Sequence, residues 1–181
     1  MLGDSVMNKN TIPEDYTLGL ALFDTAPVLL FGAASRLLSR MTGSFLVMLG
    51  GVICFVSGML KVLWKLLVVL RRKNVWPLFV QMRIGMPAGF TVMLVGLVAS
   101  LVKKDPSERA KLGKAVRRPA PLAFLAISAA GIAAMVSFGK RLDSAEARSN
   151  WIKQGCNTAA QGSFLAAMVF MAKALEKNKK A

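Results

Sequence analysis

The sequence predicts an all-α polytopic membrane protein, built as two tandem transmembrane helical hairpins preceded by an N-terminal helix that spans the membrane or lies at its interface. Three observations lead to this prediction. Of the 181 residues, 55% are hydrophobic, and the mean hydropathy is +0.51. The apolar residues form long runs, whereas a soluble domain of this size would interrupt them with polar faces. The 24 lysines and arginines lie almost wholly between and after these runs.

Five apolar runs reach or approach the length of about 20 residues that a helix needs to cross the hydrocarbon core. They cover residues 18–38, 45–70, 86–102, 121–139 and 159–175. They divide the chain into four parts. Residues 1–42 form an N-terminal tail and a membrane or interfacial helix, 43–104 the first hairpin, 105–118 a basic linker, and 119–181 the second hairpin with a basic C-terminal tail.

The net charge of +15 indicates an anionic partner. Basic segments that flank membrane helices meet lipid headgroups, at roughly 1 kcal/mol per charge near the surface. No aromatic and basic residues interleave on a soluble face, so we predict anionic lipid and no nucleic acid. Residues 103–118, with seven basic and two acidic residues, are predicted to be an exposed connection.

The residue types available argue against an enzyme, a metal site or a cofactor site. Histidine is absent, which removes the commonest general base and the commonest metal ligand. The two cysteines, Cys54 and Cys156, lie in or beside apolar runs and lack zinc spacing. Cys156 has no histidine partner, and a buried cysteine usually acts as a small hydrophobic residue.

Asp24 is the one carboxylate inside the first run, where a charge at mid-bilayer is costly. Two placements are open. Asp15 and Tyr16 lie toward the same end of the run, which favours a helix near the headgroup layer. The other placement is a buried functional acid.

The second run has a helix face with small side chains at one end and cationic side chains at the other. Its members, which follow at spacings of three, four or seven residues, are Gly50, Cys54, Gly58, Lys61, Lys65 and Arg72. The small part predicts close helix packing. The cationic part, continued by Arg71 in the turn, predicts contact with a lipid phosphate or a partner's carboxylate. Simple snorkelling of the lysines to the interface is the alternative.

Small residues also mark packing faces on the later runs. Gly85, Gly89 and Gly96 predict a packing face on the third run. Ala126, Ala130 and Ala134 do the same for the fourth run. The fifth run begins with polar residues on one face, Lys153, Asn157 and Gln161, which predict contact with another helix, a polar loop or headgroups.

The second hairpin resembles the two-helix domain of the hypoxia-induced-gene family, whose members include the mitochondrial respiratory supercomplex factors. The resemblance lies in PLAFLAISAAGIAAMVSFGKRL, a short charged link and NTAAQGSFLAAMVF. Gln161 and Gly162 match the family motif, while Asn157 stands where an arginine belongs. The first hairpin keeps the complementary part, because Arg83 occupies the arginine position and Pro87 falls on the glutamine. A shift of 73 residues superimposes Gly58 on Gly131 and Gly89 on Gly162, which suggests an internal repeat.

The resemblance implies a non-catalytic subunit or assembly factor of a respiratory complex. Its partners would be cytochrome c oxidase, its supercomplexes and an anionic lipid such as cardiolipin, in the mitochondrial inner membrane or, alternatively, a bacterial inner membrane. Arg83, Asn157 and Gln161 would then contact a partner or lipid. The family expectation also puts the link within each hairpin in the matrix, which opposes the positive-inside rule for residues 103–118. The second hypothesis is a small transporter or channel component that uses Asp24 and the face with Lys61 and Lys65.

Overall fold

The computed structural model describes residue 12, residues 16–142 and residues 146–180, the last three by backbone only. Within these residues the chain is all helical and contains no strand, as the sequence predicts. The helices are α1 (Leu18–Phe23), α2 (Thr25–Thr42), α3 (Phe45–Arg71), α4 (Trp76–Val80), α5 (Met82–Lys103), α6 (Pro106–Val116), α7 (Pro119–Arg141) and α8 (Ala147–Lys180).

Five of the helical segments are long and apolar enough to cross a membrane, which confirms the predicted polytopic class. They are Leu18–Thr42, Phe45–Arg71, Trp76–Lys103, Pro119–Arg141 and Ala147–Lys177. The first run is therefore a candidate span, and the third begins ten residues earlier than the apolar run from residue 86 predicts. That extension contains α4, which carries Pro77 in its first turn, where the missing N–H of proline costs little.

The helices pack in a row with the N-terminal span in the middle. α2 contacts α3 on one side and α8 on the other, while α5 packs on α3 and α7 packs on α8. Phe31 of α2 lies in one apolar cluster with Val47 of α3 and Met93 of α5. Ala34 of α2 lies in another with Ala167 and Met168 of α8. The two hairpins are thus held apart by α2 along most of their length.

Proline accounts for the break between α1 and α2. Pro27 lacks an N–H and its ring clashes with the carbonyl of residue 23, so the regular helix ends at Phe23 and restarts at Thr25. Asp24 lies at this break with helical φ and ψ of −60° and −20°. Thr17 caps α1, because its side-chain oxygen accepts the N–H of Leu20 at 3.2 Å. The break lies at the end of α1, which contacts both α3 and α8.

The α3–α5 contact uses the predicted small residues on both helices. A Cβ on Gly96 would lie 2.5 Å from Leu46 Cβ, and one on Gly89 would lie 2.5 Å from Cys54 Sγ. Gly50 faces the backbone of Gly89, so the two helices touch main chain to main chain. Gly85 faces Ser57 of α3. Gly58 faces Val28 of α2 instead, so the small face of α3 serves two neighbours.

The predicted alanine face of α7 is largely uncovered by the described residues. Ala126 and Ala130 are exposed and Ala134 is half-buried. α7 instead turns Ser128 and Gly131 toward α8, and a Cβ on Gly131 would lie 2.7 Å from Ala160 Cβ. Two faces of α7 carry small residues, and the spacing of these residues alone does not indicate which face contacts α8.

The two halves of the suggested repeat do not make equivalent helix contacts. Gly58 packs on α2, whereas Gly131, its counterpart at the shift of 73 residues, packs on the other helix of its own hairpin. The first helix of the first hairpin and the second helix of the second hairpin are the inner ones. The hairpins therefore meet α2 through non-equivalent faces.

The basic linker forms helix α6, an element that composition did not predict. Leu112 and Ala115 are buried, and α6 contacts both α8 and α7. Its charged residues are exposed, and Lys104 pairs with Glu108 at 2.9 Å in its first turn. α6 thus covers one end of the second hairpin with its narrow apolar face.

Candidate functional site

A buried ion pair joins the N-terminal span to the first hairpin. Lys65 Nζ lies 2.8 Å from Asp24 Oδ2, and the two side chains are 1% and 2% exposed. At this distance the ammonium and the carboxylate form a close ion pair. Lys61 Nζ lies 4.0 Å from the same oxygen and is 25% exposed. Asp24 is thus buried inside the bundle, and the ammonium of Lys65 does not reach the protein surface.

The remaining surroundings of Lys65 come from the two other segments that meet here. The ammonium lies 5.5 Å from the centre of the Tyr16 ring, a cation–π contact. It also donates to Asn150 Oδ1 of α8 at 3.5 Å. Tyr16 in turn packs edge-on against Trp64 at a centroid distance of 6.3 Å. Lys65 is therefore the point at which the N-terminal segment, α3 and α8 meet.

α8 continues this site with a stripe of polar residues that points toward α2. Its members, at spacings that keep one helix face, are Asn150, Lys153, Gln154, Asn157, Thr158 and Gln161. Lys153 donates to the carbonyl of Leu142 at 2.8 Å. Gln154 Oε1 and Thr158 Oγ1 are buried and have no hydrogen-bond partner among the described residues. The stripe rises about 16 Å along the helix, roughly half of the hydrocarbon thickness.

The site carries more positive than negative charge. One carboxylate, Asp24, faces two lysines of α3, and Lys153 adds a third ammonium on the α8 stripe. Asp24 lies six residues from the start of α1, about 9 Å deep if α1 begins at the interface. At this depth a charge is stable only when it is paired or reaches water. The arrangement can either fasten three segments together or hold a small anion beside Lys61.

The other predicted contact residues lie apart from this cluster. Arg71 and Arg72 are exposed at the end of α3, where Arg72 adopts a left-handed φ of 49° that closes the helix. Arg83 is exposed near the start of α5, with its guanidinium 5.6 Å from the Phe79 ring centre. Asn157 and Gln161 are half-buried on α8 and bond each other at 3.3 Å. Arg83 and Gln161, the residues on which the resemblance depends, therefore lie on different helices and not in one site.

Two residues of the site were not identified from the sequence. Asn150 extends the polar face of α8 by one turn, and its spacing of seven residues from Asn157 is the signal that could have found it. Tyr16 precedes the first apolar run and carries no comparable signal, because its position beside Lys65 depends on how α1 packs in the bundle.

Comparison of the chain with family models, curated proteins and solved structures finds no match.

Proposed function

We propose that this protein is a non-catalytic membrane subunit or assembly factor, which binds the helices of a larger membrane complex and anionic lipid. Following the family resemblance, the complex is cytochrome c oxidase or its supercomplex, the membrane is the mitochondrial inner membrane, and the lipid is of the cardiolipin type. A bacterial inner membrane is the alternative location.

The observation that carries this proposal is the outward face of α7. Ala126, Ala130, Ala133 and Ser137 are exposed and lie on one side of the helix, opposite the side that carries Ser128 and Gly131 toward α8. α7 ends the row of helices, so no other described helix covers this face. The face is continuous for about 16 Å along the helix.

Small side chains on a membrane helix favour another helix over lipid, because they let two backbones approach closely. The first hairpin shows this use within the chain, at Gly50 and Gly89. The α7 face has the same kind of residue but no partner helix. A helix from another subunit is the occupant that we assign to it.

Native electrophoresis in mild detergent tests the proposal, with identification of the proteins that comigrate. Comigration with cytochrome c oxidase is expected for the wild-type chain. Ala130→Leu should weaken it by filling the α7 face, whereas Ala88→Leu, which adds the same volume to an exposed position on α5, should not. A free monomer or homo-oligomer in every detergent would overturn the proposal.

Gln161→Leu tests the contribution of the motif residues. This change removes the amide that bonds Asn157 and leaves the α7–α8 contact at Gly131 and Ala160 in place. We expect weaker association and an intact hairpin, which circular dichroism can verify. Unchanged comigration would argue against a partner contact at Gln161.

A second candidate function is supported by a separate observation, the convergence of Asp24, Lys61 and Lys65 in one intramembrane cluster. Intramembrane ionisable groups commonly mark ion and solute pathways. A small transporter or channel component for an anionic solute would use Lys61 to bind the anion and Asp24 as the coupling acid.

Flux measurements in proteoliposomes separate the two candidates. The transporter predicts anion uptake that Asp24→Asn abolishes, in vesicles where the variant is shown to be folded and inserted. No flux by the wild-type protein removes this candidate and leaves the subunit proposal untouched.

A further inference from the structure

A cavity lies between the beginning of α7 and the last turns of α8, at the opposite end of the bundle from the Asp24 cluster. Its volume is about 450 Å³. Arg118, Lys173 and Lys177 line it together with Pro119, Pro121 and Phe170. Neither candidate function and none of the predicted site residues uses this cavity.

The charges around the cavity have one sign. Arg118, Lys173 and Lys177 are all exposed cations, and no described carboxylate lines the cavity. None of the three takes part in a salt bridge among the described residues. Lys173 and Lys177 stand one helical turn apart, a like-charge spacing that slightly disfavours the helix and that a bound anion would relieve.

The rest of the cavity wall is apolar and leads into the membrane. Phe170 stacks on Phe124 of α7 with ring centroids 5.7 Å apart and remains 43% exposed. Pro119 and Pro121 have no N–H, so the start of α7 offers few backbone donors to an anion. Binding of the anion therefore depends on the three side chains.

A phosphate with attached acyl chains fits both halves of this surface. The cations stand at the end of two candidate spans, where headgroups lie, and Phe170 stands below them, where acyl chains begin. A free phosphate ion would contact the cations and leave the apolar wall unused. The geometry points to a binding site for one anionic phospholipid, with its phosphate between Arg118, Lys173 and Lys177 and an acyl chain along Phe170.

This inference rests on the lipid binding of the proposed function and assigns one bound lipid to a defined site. The purified protein alone suffices to test it, so it succeeds or fails independently of any partner complex. Native mass spectrometry counts the lipids retained by the protein in detergent as phosphatidylglycerol, cardiolipin or phosphatidylcholine is added.

The site variant is Arg118→Gln with Lys173→Gln and Lys177→Gln, and its matched control is Arg109→Gln with Lys111→Gln and Lys114→Gln. The control removes the same charge from exposed positions of α6 at the same end of the protein. The site variant should bind the anionic lipids roughly a hundredfold more weakly, since each of the three cations near the surface contributes about a factor of five. The control should lose less than about threefold, because its three charges do not line the cavity and exposed charges are screened by salt.

Inorganic phosphate and Phe170→Ser distinguish the lipid from a free anion. Excess phosphate should not displace bound phosphatidylglycerol, and Phe170→Ser should weaken lipid binding while thermal unfolding confirms that the variants remain folded. Equal losses in the site and control variants, equal retention of phosphatidylcholine, or displacement by phosphate would each overturn the inference.

Discussion

Asp24 lies at the break in the N-terminal span and pairs with Lys65 of α3 at 2.8 Å, with both side chains almost wholly shielded. Removal of one partner from a buried pair leaves an uncompensated charge and costs about 3–5 kcal/mol, whereas apolar replacement of both is often neutral. We expect Asp24→Leu and Lys65→Met each to lower the stability by that order, and the double variant to recover most of the loss. Unfolding by denaturant in mixed micelles measures all three variants and the wild type.

The double-mutant cycle also decides what the pair does. Coupling of the two effects by more than about 1 kcal/mol would identify a structural tie between the N-terminal span and the first hairpin. Additive losses would contradict it, because they would mean that each side chain acts without the other.

Much of this arrangement followed from the sequence, and the part that did not has a physical reason. The five spans were predictable because the cost of placing polar residues in hydrocarbon leaves long apolar runs in the sequence. The burial of Asp24 was not, since a carboxylate near the end of a run is equally compatible with headgroups. Its partner Lys65 is 41 residues away in sequence, and only the antiparallel packing of α2 on α3 brings them together.

The packing partners of the small-residue faces could not be predicted from the sequence either. Gly89 and Ala130 both lie on predicted packing faces, yet Gly89 is buried against α3 and Ala130 is exposed. Spacing predicts which residues share a face, but it does not say whether the partner helix belongs to the same chain. The cavity near Lys173 and Lys177 was missed because the third cation that lines it, Arg118, lies 55 residues before Lys173 in the chain.

The α3–α5 contact predicts opposite effects for the same substitution at two glycines. A Cβ on Gly89 would lie 2.5 Å from Cys54 Sγ and 2.8 Å from the carbonyl oxygen of Gly50, so Gly89→Ala should destabilise the protein by about 1–3 kcal/mol through overpacking. Gly155, in α8, has no atom within 4 Å of that position. Gly155→Ala should be neutral or slightly stabilising because alanine is the better helix former.

Thermal unfolding of the two variants in the same detergent checks this prediction. Equal stability of Gly89→Ala and the wild type would show that α3 and α5 are not in main-chain contact in solution.

Gly43 ends α2 with a φ of 68°, and its N–H bonds the carbonyl of Ser39 at 2.8 Å. An alanine here can keep this hydrogen bond, but the left-handed backbone conformation costs a residue with a Cβ about 1–2 kcal/mol. Asparagine adopts this conformation more readily. We expect Gly43→Ala to lower the melting temperature more than Gly43→Asn, although a Cβ at this position has no atom within 4 Å. The reverse order would contradict the assigned turn.

The charges between the spans predict the orientation of the bundle. Residues 103–118 and the tail at 173–180 carry eleven basic residues, against seven in the links at 71–74 and 140–153, so the positive-inside rule predicts that α6 lies on the cytoplasmic or matrix side. The resemblance to the hypoxia-induced-gene family implies the opposite. In a Cys54→Ala, Cys156→Ala background, Ser107→Cys should be protected from an impermeant thiol reagent added outside, and Lys73→Cys should react. Reaction of Ser107→Cys alone would favour the family arrangement.

The span in the middle of the row is also the first of the five candidate spans in chain order. The first hairpin can dock on one side of α2 as soon as it enters the membrane, and the second hairpin can then occupy the side that remains free. The order of the spans along the chain therefore favours assembly outward from the centre, with the outward face of α7 added last. Without α2 the two hairpins would lose most of the contacts that link them, so the row depends on its central span.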